Sequence, residues 1–179
     1  QRKFSVQPID GKMWRFLRLR PQNFPYIRIA QLANLYHSRR FGLRNLVESE
    51  TLDDLKVAMK SAVSPYWETH YVFGSVSKKS ENQLSEASLN VLLINTAIPF
   101  LFAYGRHESS EQLCERAINY LEQLKPERNH IVNMWQQCGL DVQNAGDTQA
   151  LIQLKTQYCD RKECLRCRIG YEYLKGREY

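Results

Sequence analysis

Apolar side chains recur every three or four positions through most of this chain, and the runs end at proline, glycine or capping side chains, which is the signature of packed helices. Met13 to Arg20 mixes apolar and cationic residues too tightly for either period, and helix and strand both stay open there. Pro21 and Pro25 bracket a turn, with Pro25 as first helical residue and Asn23 as a capping candidate. The spacing then predicts a helix from Tyr26 to Arg40, with Ile29, Leu32, Leu35 and Tyr36 inward and Gly42 at its end. Thr51, followed by Asp53 and Asp54, opens the next helix, whose inner stripe is Leu52, Leu55, Met59 and Ala62 and which Pro65 closes. Residues 64–80 are irregular and aromatic, with a short strand expected at Tyr71 to Phe73.

Leu84 to Tyr104 reads as a central helix, apolar nearly all round and kinked where Pro99 deprives the Asn95 carbonyl of its donor. Ser109 and Gln112 form a capping-box pattern ahead of Leu113, Ala117, Tyr120, Leu121 and Leu124, and Pro126 stops that helix. A further helix spans Glu127 to Cys138, with Ile131, Met134 and Trp135 inward and Gly139 left-handed at its end. Asp147 caps the next, whose inner face is Leu151, Leu154 and Tyr158, and a last helix runs from Lys162 to Leu174. About seven helices on short loops predict an all-α irregular bundle, with at most a short strand or hairpin toward the N-terminus.

Composition agrees: 43% of the 179 residues are hydrophobic and 11% aromatic, enough for one globular domain over residues 1–179. The chain opens on Gln1, and it is read as the C-terminal part of a longer protein. The longest apolar run, Val91 to Tyr104, carries Asn95, Thr96 and Pro99 and is shorter than the roughly 20 residues of a membrane span. It reads as a buried helix of a cytoplasmic protein with no membrane partner.

Net charge is +6 but unevenly spread: residues 1–47 carry ten Lys/Arg against one acid, whereas residues 48–158 carry nine against fourteen. Arg15, Arg18, Arg20, Arg28, Arg39, Arg40 and Arg44 are candidates for phosphate contacts, interleaved with Trp14, Phe16, Phe24 and Tyr26. The competing reading neutralises these arginines in cis, their stems covering the core edge and their heads meeting the acidic middle. No spacing of a known DNA- or RNA-binding motif accompanies them.

The sharpest chemical feature is Cys159-Asp-Arg-Lys-Glu-Cys164-Leu-Arg-Cys167. With the last helix already begun, Cys164 and Cys167 would share one face, and Cys159 would join them from the preceding helix. Soft thiolates so grouped suit zinc or an iron–sulfur cluster, with Cys138 the first choice of fourth ligand ahead of Cys114 and His130. Arg161, Lys162, Arg166 and Arg168 would lower the thiol pKa values. The Cys-x4-Cys-x2-Cys spacing is not a standard zinc pair, so free, partly buried thiols rank ahead of a metal, and a disulfide ranks last for a reducing compartment.

His37, His70, His107 and His130 are scattered and read as structural, and Asp53 with Asp54 as helix-start charge. No Gly-rich phosphate loop, Gly-x-Ser-x-Gly or His-Glu-x-x-His occurs, which excludes only the easily read enzymes. The chain is expected to be non-catalytic by itself.

Three stretches, Arg18 to Ala33, Leu93 to Gly105, and Asp147 to Lys155 running into Tyr158-Cys159 and Cys164-Leu-Arg-Cys-Arg-Ile-Gly170, together resemble an uncharacterised family chiefly from Bacteroidetes, domain of unknown function 2851. Longer members place before this region an acidic, strand-rich segment similar to metal-dependent nuclease cores. The resemblance thus implies a helical accessory half, with the missing N-terminal region of the same protein as partner. Some nucleases hold an iron–sulfur staple with one upstream and three C-terminal cysteines, but their triplet is spaced differently and no ligand is carried over. The leading expectation is a nucleic-acid-associated accessory domain of a nuclease-like protein. The alternative is an interaction or structural module without nucleic-acid binding, and a third is an enzyme using the thiolates.

Overall fold

A computed structural model describes residues 7, 9–14, 24–39 and 41–176, Arg39 by its backbone alone. The stretch 15–20, the turn at Pro21 and the Asn23 cap lie outside the described residues. Among the described residues the chain is an irregular all-α assembly with one small hairpin; it groups into two compact units, Gln1–Leu89 and Asn90–Tyr179.

In the first unit, α1 (Pro25–Arg39) begins on its proline as expected. Its buried face, however, is Ile27, Ala30, Gln31 and Leu35, while Ile29, Leu32 and Tyr36 are exposed. Both stripes have helical spacing, and partners choose between them: Ile27 and Ala30 join Val63, with Phe24 and Trp67 packed alongside. Gly42 caps a short helix the pattern did not predict, α2 (Leu43–Glu48), which buries Leu46. Next comes α3 (Leu52–Met59), opened by a true capping box: the Asp54 amide donates to Thr51 Oγ1 and the Thr51 amide to Asp54 Oδ2, each at 3.1 Å. Leu52, Leu55 and Met59 are buried as predicted, whereas Ala62 lies beyond the helix end. Pro65 does not close α3. It opens α4 (Pro65–Glu68), where its fixed φ suits a first turn.

The expected strand is β1 (His70–Val72), paired antiparallel with β2 (Ser75–Val76) across Gly74. Aromatic edges fasten this hairpin: Phe24 meets Tyr71 at 5.6 Å, Trp67 meets Phe73 at 4.9 Å, and Tyr26 lies against Trp67 and Phe73.

The long apolar helix runs 22 residues, Glu86–His107, and by length and composition is apolar enough to cross a membrane, longer than the run read from sequence. It comprises α5 (Glu86–Leu92), a π-helical stretch Leu93–Ala97 and α6 (Ile98–His107). The Ile98 amide reaches back to the Leu93 carbonyl, so the irregularity expected near Pro99 takes the form of a wide turn just ahead of it. Nor is it buried all round. Leu93, Ile94, Ala97, Ile98 and Leu101 face inward, whereas Val91, Leu92, Phe100 and Phe102 are exposed.

In the second unit α6 packs on α7 (Glu111–Gln123), and α7 and α8 (His130–Gln137) pack on α9 (Ala145–Gln153). Each predicted start shifts to a neighbouring side chain: Ser110 caps α7 in place of Ser109, and Asn144 caps α9 in place of Asp147, which instead accepts from the Gln143 amide. Gly139 is left-handed after α8, as expected (φ +88°). Leu113, Ala117, Tyr120, Val132 and Ala145 form the buried centre.

Candidate functional site

α9 does not end in a regular turn; it widens into a π-helical stretch, Leu154–Cys159. Turns follow at residues 160–162 and 164–166. The Asp160 amide donates to Lys155 O and the Glu163 amide to Tyr158 O, both at 2.9 Å, and Lys155 pairs with Asp160 through their side chains. Lys162 sits at φ +56°, which no helix accommodates. The last helix, α10 (Arg168–Lys175), therefore starts six residues later than predicted, with Cys167 as its N-cap. Cys164 and Cys167 do not share a helix face. A turn brings them together instead, the Cys167 amide shared between Glu163 O at 3.1 Å and Cys164 O at 3.3 Å.

Cys159, Cys164 and Cys167 line one cavity of about 250 Å³, walled by Trp135, Leu154, Tyr158, Ile169 and Tyr173. The sequence pattern read Trp135, Leu154 and Tyr158 as inward-facing but did not join them to the cysteines, and it missed Ile169 and Tyr173, because Trp135 comes from another helix and the other two from beyond the turn. Gly170 is part of the construction. A Cβ there would lie 2.5 Å from the Cys164 carbonyl oxygen, so only glycine lets α10 pass this close to the turn.

All five cysteines are free: Cys159 and Cys164 exposed, Cys167 buried. Partial burial against the apolar wall pushes the Cys159 thiol above the ordinary cysteine range; Cys167 and Cys164 push the same way and Lys155 opposes. This corrects the expectation that nearby cations lower it, since Arg161 and Lys162 are not among the groups acting on it. Cys138, the chosen fourth ligand, is exposed at the end of α8 and is not part of the cavity wall. Among the described residues no group of three or more His, Cys, Asp or Glu side chains is arranged to hold a metal ion.

The candidate phosphate-binding arginines fall into three groups. Arg15, Arg18, Arg20 and Arg40 lie outside the described residues, as does the side chain of Arg39. Arg28 turns inward: it donates to Gln31 Oε1 at 2.9 Å and Ser88 Oγ at 3.2 Å, and burial lowers its pKa below the usual arginine value. Gln31 in turn donates to Asn82 O at 2.7 Å, so Arg28 anchors a polar network inside the unit. Arg44 is exposed and pairs with Glu48 at 2.7 Å. Phe24 and Tyr26, read as candidate stacking platforms, pack the hairpin. His70 is structural, stacked on Tyr66 at 4.0 Å with Nδ1 2.8 Å from Tyr66 O.

No curated protein and no solved structure matches the chain. One family does, over residues 1–130; the match covers the first two resembling stretches and stops before the cysteine turn. With most of its length matched, this chain belongs to the family described as protein of unknown function DUF2851.

Proposed function

We propose that this chain is the helical accessory region of a longer DUF2851 polypeptide and docks onto an acidic, strand-rich segment that precedes it in the same protein. The observation that carries the reading is the long helix itself, on which Val91, Leu92, Phe100 and Phe102 are 39–53% exposed. Large apolar side chains left exposed along one helix mark a contact surface. Charge selects the partner: ten basic residues against one acid over residues 1–47 complement an acidic segment. The C-terminal position and a Bacteroidetes source follow from the sequence resemblance, and the reading assigns the protein to the cytoplasm with its thiols free.

A photo-crosslinking residue at position 100 of the full polypeptide tests this. Crosslinks to the preceding segment are expected; their absence, or crosslinks only to other proteins, would defeat the reading.

A second reading, a nucleic-acid contact, is favoured by the same charge segregation and by Arg44, whose side chain is 85% exposed beside the 59% exposed Glu48. Arg28 is already engaged within the chain, its guanidinium donating to Gln31 and Ser88. Binding of DNA and RNA followed against salt separates the two: a steep loss of affinity with ionic strength supports this reading, and no binding near physiological salt removes it.

A further inference from the structure

Cys164 and Cys167 are the first and last residues of a tight turn across Leu165 and Arg166, in which the Cys167 amide is shared between Cys164 O at 3.3 Å and Glu163 O at 3.1 Å. Corner residues of a β-turn have Cα atoms within about 7 Å. A disulfide spans Cα atoms roughly 4.4–6.8 Å apart, so the turn sets this pair at bridging separation before any bond forms. The turn is itself held: the backbone of Cys164 rests on Gly170 in the first turn of α10, where even a methyl group would not fit. The two thiols also differ in access. Cys164 is exposed and Cys167 is 7% exposed, yet both border the same cavity.

We propose that Cys164 and Cys167 form a reversible dithiol–disulfide site, closed by exchange with a low-molecular-weight disulfide of the glutathione type. The exposed Cys164, as thiolate, attacks one sulfur of the small disulfide; that S–S bond breaks and one small thiolate leaves. Cys167 then loses its proton to solvent and attacks Cys164 Sγ, and the mixed disulfide breaks with release of the second small thiolate. Two protein thiols are oxidised by two electrons, and one small disulfide is reduced to two thiols. The compartment argument against a permanent bridge does not touch such a pair, since transient disulfides are the kind that reducing compartments use. Cys159 lines the same cavity and is the competing partner that the experiment must exclude.

Trypsin cuts after Arg161, Lys162, Arg166 and Arg168, so the three thiols leave on three different peptides. The chain is equilibrated in glutathione buffers of varied ratio, its remaining thiols are blocked with maleimide, and the digest is weighed. The expected product joins the peptide of Cys164 to that of Cys167, its yield follows the glutathione ratio, and Cys159→Ser leaves it unchanged. In Cys167→Ser, glutathione should accumulate on Cys164. A bridge through Cys159, glutathione retained on Cys164 of the unaltered chain, or three fully blocked thiols under oxidising ratios would overturn the proposal.

Discussion

The Cα of Gly170 lies so close beneath Cys164 that an added Cβ would meet its carbonyl oxygen at 2.5 Å and its Cα at 3.1 Å. Both neighbours are backbone, which cannot swing aside. Gly170→Ala should therefore cost about 1–3 kcal/mol, the usual scale for overpacking, and should expose the buried Cys167 to maleimide. Gly176→Ala is the control, because a Cβ there meets nothing closer than 3.4 Å at ordinary helical angles. Urea unfolding and the labelling rate of Cys167 check both; equal stability of the two variants would refute the tight contact.

Arg28 and Arg44 look alike in sequence and should behave oppositely. Arg28→Ala deprives the buried Gln31 of a charged donor, and leaving such a group unpaired costs about 1–3 kcal/mol. Arg44→Ala removes a solvated ion pair worth about 0.5 kcal/mol or less. Denaturation midpoints of the two variants decide the matter, and a destabilised Arg44→Ala beside a neutral Arg28→Ala would reverse the assignment.

Thr51→Ala breaks the capping box of α3 and should lower stability by about 1 kcal/mol, whereas Thr51→Ser keeps the hydroxyl and should recover most of it. Hydrogen exchange of the first-turn amides of α3 gives a local readout: they should quicken in the alanine variant only.

The raised pKa of Cys159 has a definite sign in the stability profile. The folded chain holds this thiol protonated at a pH where the unfolded chain has released its proton. The resulting stabilisation is complete below the unfolded value of about 8.5 and is lost as pH rises through the higher folded value. Alkylation of Cys159 by iodoacetamide should accordingly show a midpoint above that of an unstructured cysteine peptide. Stability should also fall less steeply above about pH 8.5 in Cys159→Ser. A midpoint at or below the peptide's would contradict the upward shift of this thiol.

What the residue order determined by itself was much of what acts within about one helical turn, though the caps of α7 and α9 fall on neighbours of the expected residues and α2 was not predicted. The periodicity placed α1, α3, α7, α8 and α9, Pro25 and Thr51 marked two starts, and Gly139 marked an end, because capping and backbone strain depend only on neighbours along the chain. Tertiary structure decided which of two equivalent stripes α1 buries, since Val63 and Trp67 choose Ile27 and Ala30 over Ile29 and Leu32. It also turned Arg28 inward to a serine sixty positions away. It replaced an expected helix face by a turn joining Cys164 to Cys167, because Gly170 lets α10 fold back against that turn. Those outcomes rest on close packing between segments remote in sequence, where volume and hydrogen-bond partners are set by the other side of the contact.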